Sequence, residues 1–526
     1  MRRDVARRCV ALLASAMLSA VLLILMMAAP SLAQPVTLRS SDGSATVTGP
    51  LIRFDGNTYA IKAGDRDLSV PVAAFSCVSG PCPAPNGFGI HGSNTIGAEL
   101  MPRLIEAYAE SRSERVRISN GESPDVSEIK VLGNDGRNRA TIDLQARGSG
   151  TATPGLLSGK ALIGMASRPL NEAELAQLSQ QGFGDMRAPG SEHVLGLDGI
   201  IVIVSPANPV SKLSLQQLQG IFSGAVTDWS QVGGMPGRID VYARDAKSGT
   251  FDTFKTLVLD PGKRELAAGA RRFESSNELS DLVANDPNGI GFIGFAYLRN
   301  AKALSLVNEC GMVFTPSTFS VKTEEYPLSR RLFLYSGKLP EQTFAAGLLD
   351  FSLSVPAQSV VRGTGFIDQE LEWRAGKQTN RSADAQSARK LKAGTAGPFI
   401  TLARDVEETS RISVTMRFRY NSTELDNKAL RDVDVLAQFL EFLRQTRSDR
   451  KVVLAGFADS AGTVDRNIAL SLERANAVKQ AVLRKLGDPQ YAKLIDTRGF
   501  GPALPVACNE NEAGRDKNRR VEVWLK

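Results

Sequence analysis

Histidine is almost absent from this chain, which has His91 and His193 among its 526 residues. Nucleophilic catalysis with a histidine base and metal sites built from several imidazoles both depend on this residue, so the sequence offers few candidates for either. Aromatic residues are also scarce, at 6 %. We predict no metal site, no cofactor and no catalytic residue.

A long apolar run occurs only near the beginning of the chain. The sequence opens MRRDVARR, continues with CVALLASAMLSAVLLILMMAAP and reaches SLAQ. A basic region, an apolar region and a small-residue cleavage site are typical of a signal peptide, here residues 1–33. An uncleaved membrane anchor is the alternative, because the run approaches the roughly 20 residues that span a bilayer. We expect cleavage after Ala33 and export.

Cysteine is scarce as well, with five residues. Cys77 and Cys82 stand in SCVSGPCP with no histidine near them, which favours a local disulfide over a zinc site in an exported chain. Cys310 and Cys508 lie in different predicted domains, and the sequence leaves open whether they pair.

A strong excess of one charge is also missing. The formal net charge is +7, and the predicted leader contributes four arginines and one aspartate to it. A balance this mild does not indicate a nucleic-acid-binding protein.

The texture of the sequence changes along the chain. Residues 34–85 are short alternating runs broken by DGS, DGN and AGD, which predict a small β module. Residues 86–375 alternate helical patterns with short apolar strands, as in α/β layers with partly parallel sheets. Residues 376–404 are polar and rich in Ala, Lys, Arg and Gly, which is typical of a linker. Residues 405–526 predict a compact α+β domain.

Three small polar clusters interrupt the α/β region: HGSNTIG at 91–97, ARGSGTATPG at 146–155 and RDAKSGT at 244–250. Ligands of open α/β sheets collect at the carboxyl ends of strands, where the N–H groups of helix starts bind oxyanions. Arg168 and Arg244 lie close to these clusters in sequence and could clamp an anion. Each cluster could instead be a capped turn, with the arginines in surface ion pairs. Together the three clusters favour an oxyanion site.

The C-terminal domain contains an aspartate and an arginine that are candidate ligand-binding residues. Asp459 follows the apolar strand KVVLAGF, and the next helix places Asn467, Ser471 and Arg474 on one polar stripe. Asp459 and Arg474 could face a ligand that carries an ammonium and a carboxylate group. An internal ion pair between them, bracing the strand against the helix, is the alternative. The apolar stripe predicted to face the core comprises Ile468, Leu472, Ala475, Val478 and Val482.

Residues 405–526 resemble the peptidoglycan-binding domain of the OmpA-like family, through the motifs GFAD, LSLERA, RGFG, NENEAGR and NRRVEVW. The resemblance implies that Asp459 and Arg474 hold the diaminopimelate of the peptidoglycan stem, with Asn467 on the same stripe. Phe457 and Ala458 replace the usual aromatic or His and Thr before the aspartate. We expect both of these side chains to flank the site.

Residues 88–370 resemble the periplasmic phosphate-binding proteins that feed ABC transporters. The most specific motifs are LDGIIVIVSPANPVSKLSLQQLQGIFSGAVTDWSQVGG and RDAKSGT. The resemblance implies two α/β lobes, joined by crossover strands, that close on the anion. Lobe one would comprise about 86–190 and 306–375, and lobe two about 191–305.

The same resemblance implies three oxyanion loops. It assigns Ser93, Thr95 and the Ile96 backbone to the first loop, Ser149, Gly150 and Thr151 to the second, and Arg244, Ser248, Gly249 and Thr250 to the third.

Two positions depart from the family pattern. Arg168 stands where the best-known phosphate receptors have an aspartate, and Ala246 stands where they have a second acid. A carboxylate acceptor lets such a site prefer a protonated oxyanion over sulfate, because it can only accept a hydrogen bond from the ligand. Selectivity for phosphate is therefore weakened. Arg168 is a candidate ligand residue, with a structural salt bridge as the alternative.

We therefore predict a non-catalytic binding protein of the periplasm of a Gram-negative-type envelope, associated with the cell wall or outer membrane. It would capture phosphate or a related oxyanion, with an ABC permease as candidate partner. An envelope scaffold that binds another protein is one alternative. A phosphate-ester hydrolase is the other, with Ser149 or Ser248 as nucleophile, although neither serine has an evident base.

Overall fold

A computed structural model of the chain describes residues 35–40, 43–54, 58–71, 74–79, 87–123, 125–246, 248–339, 341, 343–375 and 409–526. The predicted signal peptide and linker lie outside these residues. Cys82 lies outside them too, so its predicted pairing stays a prediction, although Cys77 is itself in a disulfide. The described chain divides between Gly87 and Phe88 into two compact units.

The first unit is the predicted β module, which is confirmed. Its five antiparallel strands lie in the order β4-β3-β2-β1-β5. Gly64, at φ +62°, makes the left-handed turn between β3 and β4. Alternate side chains form a small core of Val36, Leu38, Phe54, Tyr59, Ile61 and Val70. The strands are β1 (Pro35–Ser40), β2 (Thr46–Phe54), β3 (Thr58–Ala63), β4 (Arg66–Pro71) and β5 (Phe75–Ser79).

The second unit begins with an α/β lobe. The amphipathic helix Leu100–Ser111 buries Leu104 and Ile105 against the strands. The elements of this lobe are β6 (Gly87–Gly92), α1 (Asn94–Gly97), α2 (Leu100–Ser111), β7 (Arg115–Asn120), β8 (Val126–Leu132), β9 (Asn138–Gln145), α3 (Ala152–Leu157), β10 (Ile163–Ala166) and α4 (Glu172–Gln180).

The second lobe follows along the chain and has its own core around Phe222, Phe254 and Phe292, in which Phe254 stacks on Phe292 and Phe222 meets both rings edge-on. Its elements are β11 (Glu192–Val204), β12 (Lys212–Ser214), α5 (Leu215–Phe222), β13 (Asp240–Arg244), α6 (Gly249–Phe254), β14 (Arg271–Phe273), α7 (Ser276–Asn285), β15 (Gly289–Gly294), β16 (Lys302–Ala303), β17 (Ser305–Val307), β18 (Val313–Phe314) and α8 (Thr318–Lys322).

Strands β11 and β19 (Ser329–Ser336) cross between the lobes, so the predicted two-lobed architecture with crossover strands is confirmed. The first half of β11 pairs with β19, and its second half pairs with β15. The chain returns to lobe one only at Ser329, and the predicted return near residue 306 was wrong. The reason is that β17 pairs with β12, while Val321 and Tyr326 pack into the core of lobe two.

Two consecutive helices, α9 (Phe344–Ser352) and α10 (Val355–Gly363), complete lobe one. They bend by 74° relative to each other, and Leu348 and Val361 pack into the core of that lobe. Within the described part of the chain, no single helix is long and apolar enough to cross a membrane.

The C-terminal domain is the predicted α+β structure, with strand order β20-β21-β24-β22-β23. Its edge strand Trp373–Ala375 comes from the end of the segment that the sequence placed in the two-lobed region. The elements are β20 (Trp373–Ala375), β21 (Ser410–Arg417), α11 (Asn427–Gln445), β22 (Val452–Phe457), α12 (Val464–Leu486), β23 (Ile495–Gly499), α13 (Glu512–Asn518) and β24 (Arg520–Leu525).

Helix α12 buries part of the predicted polar stripe. Ser471 and Arg474 are fully buried, whereas Leu472, predicted to face the core, is 37 % exposed. The strand below approaches this face closely, since a Cβ on Gly456 would lie 1.9 Å from the carbonyl oxygen of Ser471. The face of α12 that packs on the sheet is therefore shifted from the predicted apolar stripe toward the small and polar residues of the helix.

Covalent and polar contacts tie the C-terminal domain to both lobes. Cys310, in the turn after β17, forms a disulfide with Cys508, which answers the question that the sequence left open. The amide of Asn427 donates to the carbonyl oxygen of Arg187 at 2.9 Å in lobe one. Arg417 donates to the carbonyl oxygen of Thr323 at 2.8 Å, next to lobe two.

Candidate functional sites

The first and third predicted oxyanion loops come from different lobes and touch each other. Residues 93–97 follow β6 and form α1, and residues 248–250 open α6 after β13. A Cβ atom on Gly249 would lie 2.3 Å from Oγ1 of Thr95, so only glycine fits at this point of contact. The cleft between the lobes is closed where these loops meet.

The second loop is attached to the first. Gly148, at φ +105°, donates its N–H to the carbonyl oxygen of Gly92 at 2.8 Å. Oγ of Ser149 accepts the N–H of Ser167 at 3.0 Å. The Thr151 hydroxyl donates to the carbonyl oxygen of Gly148 at 2.8 Å, so its proton is already used. A Cβ on Gly150 would meet no atom within 4 Å.

Several hydroxyl groups around the cleft are arranged as donors. Oγ of Ser248 accepts the N–H groups of Thr250 and Phe251 at 3.2 and 3.5 Å, which leaves its own proton available. Oγ of Ser93 is buried and has no hydrogen-bond partner within the described chain. The Ile96 side chain lies in the core of lobe one, so only its backbone could meet a ligand. Such groups suit an oxyanion.

Arg244, at the end of β13, is held mainly by neutral oxygen atoms. Its Nε donates to the carbonyl oxygen of Phe273 at 3.2 Å, and Nη1 donates to the Ser276 hydroxyl. The carboxylate of Asp245 is 3.9 Å from Nη2. Burial lowers the pKa of Arg244. The guanidinium is thus fixed in place while most of its charge stays available to an anion.

Arg168 is held differently. Its two terminal nitrogens donate to both carboxylate oxygens of Glu174 at 2.7 and 2.8 Å, and one also donates to the carbonyl oxygen of Pro169. Hydrogen bonding to Glu174 raises the pKa of Arg168. This is the salt bridge that the sequence left as the alternative. A ligand role for Arg168 stays a prediction.

Sequence reasoning missed Arg330 and Asp198 at the same cleft. Nη2 of Arg330 donates to Oγ1 of Thr95 at 2.7 Å and to the carbonyl oxygen of Gly249 at 2.9 Å. Asp198 is buried on β11 beside Arg330. Both charges stand in or next to strongly apolar strands, LGLDGIIVIV and RRLFLY. A buried charge needs a partner, and this was the signal that could have found them.

The C-terminal domain has a small cavity of about 50 Å³ between the loop after β22 and the first turns of α12. Arg474 reaches it from α12, with Nε and Nη2 donating to the carbonyl oxygens of Ser422 and Arg419 at 3.0 and 3.1 Å. Nη1 is buried and without a partner in the described part of the chain. Burial lowers the pKa of Arg474 to about 10. The lining residues are Tyr420, Asn421, Ala458, Asp459, Ala461, Gly462, Arg466, Asn467, Leu470, Arg474 and Arg519.

Asp459 lies in the same cavity, but its ion-pair partner is Arg519. Nη1 of Arg519 donates to Oδ2 of Asp459 at 2.7 Å, and the N–H of Ala461 donates to Oδ1 at 2.9 Å. Arg519 was missed although it stands in the NRRVEVW motif. The amide of Asn467 donates to the carbonyl oxygens of Asp459 and Ala461, so it braces the loop.

The expectation that both residues before Asp459 flank the site was half right. Ala458 lines the cavity, whereas Phe457 is fully buried. The Phe457 ring lies 4.1 Å below the guanidinium of Arg520 and stacks on Phe500. Successive residues of a strand point to opposite faces, which is why only one of the two reaches the cavity.

Comparison with known proteins assigns the two regions separately. Residues 133–355 match the family model of the PBP superfamily domain, and residues 417–519 match that of the OmpA family. The phosphate-binding protein PstS of Bacillus subtilis is 30 % identical over 278 residues, which are 52 % of this chain and 80 % of that protein. PstS of Pseudomonas aeruginosa is 29 % identical over 324 residues, 57 % of this chain and 91 % of that protein.

Solved structures are similar to parts of the chain. An ABC-type phosphate transport receptor from Vibrio cholerae is 26 % identical, with a TM-score of 0.40, and the match covers 53 % of this chain and 99 % of that one. The peptidoglycan-associated lipoprotein from Burkholderia pseudomallei is 27 % identical, with a TM-score of 0.19, over 21 % of this chain and 89 % of that one. Both resemblances stated from the sequence are confirmed.

Proposed function

The chain belongs to the PstS family of phosphate-binding proteins and carries an OmpA-family domain, and from this premise we propose that it captures phosphate or a related oxyanion and is held on peptidoglycan. The observation that carries the first half is the cleft around Arg244. Arg244 is anchored by neutral oxygens that leave its charge available, and the contact between the first and third loops, with the free Ser248 proton, supports the same proposal.

Binding would use charge-assisted hydrogen bonds from Arg244 and hydrogen bonds from Ser93, Thr95 and Ser248, with lobe closure excluding water. The hydroxyl of Ser149 completes the second loop. With Arg168 and Ala246 at the two positions where family members have acids, we expect sulfate to compete with phosphate.

Attachment to the cell wall would use the cavity of the C-terminal domain. The buried, unpartnered Nη1 of Arg474 suits the carboxylate of a diaminopimelate side chain, and Asp459 suits its ammonium group. Arg519 would hold the Asp459 side chain in place. The protein would then reside in the periplasm, on the cell wall or outer membrane, where an ABC permease could receive the anion.

A catalytic role has less support. Ser149 is hydrogen-bonded to Ser167, and Ser248 accepts hydrogen bonds from backbone N–H groups, so neither serine is paired with a base among the residues that the structure describes. We therefore propose that the protein turns nothing over. The relatives named above are binding proteins as well.

Calorimetry on the purified chain, stripped of carried-over ligand, tests the anion site. We expect saturable heat with phosphate and displacement by sulfate. Phosphate binding that sulfate cannot displace would mean that another residue supplies an acceptor for the ligand proton. The absence of heat and of any thermal shift with both anions would overturn the receptor function and favour a scaffold.

A further inference from the structure

We propose that Arg330 is a positioning residue of the anion cleft, which joins the two lobes and commits the Thr95 hydroxyl to donating toward the anion. The inference rests on the proposed function and names one of the groups that set its affinity.

A single nitrogen of Arg330 connects both sides of the cleft. Nη2 lies 2.7 Å from Oγ1 of Thr95 in lobe one and 2.9 Å from the carbonyl oxygen of Gly249 in lobe two. Both partners belong to predicted oxyanion loops, which touch at this point. The two hydrogen bonds can exist together only while the lobes are closed.

The guanidinium is held from the crossover strands. Arg330 is the second residue of β19 and lies opposite Asp198 of β11 in the sheet register. Nε is 3.4 Å from Oδ2 of Asp198, and Nη1 is 3.7 Å from Oδ2 of Asp252 in α6. The Arg330 side chain is only 9 % exposed. Its head group therefore sits at the hinge with little freedom to move.

The chemistry of the contact decides what Thr95 can do. A guanidinium has donors and no acceptor, so the Thr95 hydroxyl has to accept from Arg330, and its own proton is left for another partner. The carbonyl oxygen of Gly249 is occupied by the same nitrogen, which keeps an acceptor from facing an anion. Arg330 thereby makes this part of the cleft a donor surface without being required to touch the ligand.

The next residue supplies a matched control. Arg331 points to the opposite face of the strand, where it donates to Glu324 at 2.9 Å and to Asp426 of the C-terminal domain at 2.7 Å. It has the same charge and stands on the same strand as Arg330. Its loss should affect stability and leave the anion cleft unchanged.

Phosphate affinity and dissociation rate, measured on the full chain, test the proposal. We expect Arg330→Met to weaken phosphate binding about tenfold or more, the scale of one hydrogen bond to a charged group, mainly through faster dissociation. Arg330→Lys should recover part of the loss. Arg331→Met should keep the phosphate affinity within about twofold, as expected of a residue outside the cleft.

A double-mutant cycle separates positioning from a general structural role. Thr95→Val should lose about as much affinity as Arg330→Met, and the double variant should lose little more, because both act through one hydroxyl. Thr95→Ser, which keeps the hydroxyl, should bind nearly as wild type. If Arg330→Met does not fold, Arg330→Lys and the two Thr95 variants decide.

The outcomes separate this inference from the proposed function. A wild-type chain that binds no phosphate overturns both. A wild-type chain that binds phosphate, together with an Arg330→Met variant of equal affinity, overturns the inference alone. Additive losses for Thr95→Val and Arg330→Met, or a Thr95→Val variant with unchanged affinity, overturn it as well.

Discussion

The proposed anion cleft around Arg244 and the proposed wall-binding cavity around Arg474 belong to unrelated folds, yet each contains an arginine that is anchored in the same way. Arg244 is held by a backbone carbonyl and a serine hydroxyl, and Arg474 by two backbone carbonyls. Arg168 and Arg331 are instead held by carboxylates. A neutral acceptor fixes a guanidinium without cancelling its charge. We therefore expect Arg244 and Arg474 to bind an anion more strongly than Arg168 and Arg331 do.

The two sites differ in the charge that surrounds the arginine. In the wall-binding cavity Asp459 lies beside Arg474, ion-paired with Arg519. Arg244 contacts the Phe273 carbonyl oxygen and the Ser276 hydroxyl, and the carboxylate of Asp245 stands 3.9 Å away. We therefore expect the cavity to take a zwitterionic group and the cleft to take an anion.

The largest expected effect comes from Arg244→Ala. Removing a charge-assisted clamp from a closed cleft should abolish measurable phosphate binding, a loss of roughly a hundredfold or more. Arg168→Ala should cost less than about threefold, because Glu174 already neutralises that guanidinium. Calorimetry on both variants checks the pair. Equal losses of phosphate affinity in the two variants would contradict the distinction between arginines held by neutral oxygens and arginines held by carboxylates. Unchanged affinity in Arg244→Ala would show that Arg244 is not part of the phosphate site.

Arg474→Ala should release the protein from the cell wall. Its Nη1 has no partner of its own in the described chain, so the ligand carboxylate would lose its strongest donor, a cost of roughly tenfold to a hundredfold in affinity. Co-sedimentation with purified peptidoglycan measures this. Arg484→Ala, an exposed position on the same helix, is the matched control and should still sediment.

A further variant tests whether Arg244 needs a neutral anchor, by giving it a carboxylate partner like that of Arg168. Ser276→Asp would place a carboxylate against Nη1 of Arg244, and we expect phosphate affinity to fall about tenfold because the charge is then compensated. Ser276→Asn has nearly the same shape without the charge and should bind more tightly than Ser276→Asp. Equal affinity for the two variants would contradict the role of neutral anchoring.

The smallest effect should come from the contact of Arg331 with the C-terminal domain. Burial opposes ionisation of Glu324 and Asp426, but attraction by Arg331 outweighs it and lowers the pKa of both. A carboxylate whose pKa is lowered by folding stabilises the fold at a pH above its pKa in the unfolded chain, which is about 4. This stabilisation is lost as the pH falls through the pKa of the carboxylate in the folded protein.

Asp426→Asn should therefore lower the melting temperature at pH 7 by roughly 2 °C and flatten its decline below about pH 4. Thermal scans between pH 7 and pH 3 measure both quantities. The phosphate affinity at pH 7 should not change. A variant that melts as wild type at every pH would show that this ion pair contributes nothing to stability.

Residues contiguous in motifs were within reach of sequence reasoning. RDAKSGT identified Arg244, Ser248 and Gly249 together, because a strand end and the following helix start are local structures. Arg330 was out of reach, since it stands 235 residues from Thr95, and its pairing requires two strands to cross between lobes. Arg519 likewise reaches Asp459 only through the folded sheet.

By itself the sequence determined a β module, an α/β region and an α+β domain, with glycine and serine loops at the helix starts, while the two lobes were implied by the family resemblance. Hydrophobic periodicity and turn residues act over a few neighbours, so they are readable along the chain. Only the tertiary structure decided the disulfide between Cys310 and Cys508, the burial of Ser471 in place of Leu472, and which carboxylate each arginine meets. Those outcomes depend on distances between segments far apart in sequence, which no local pattern encodes.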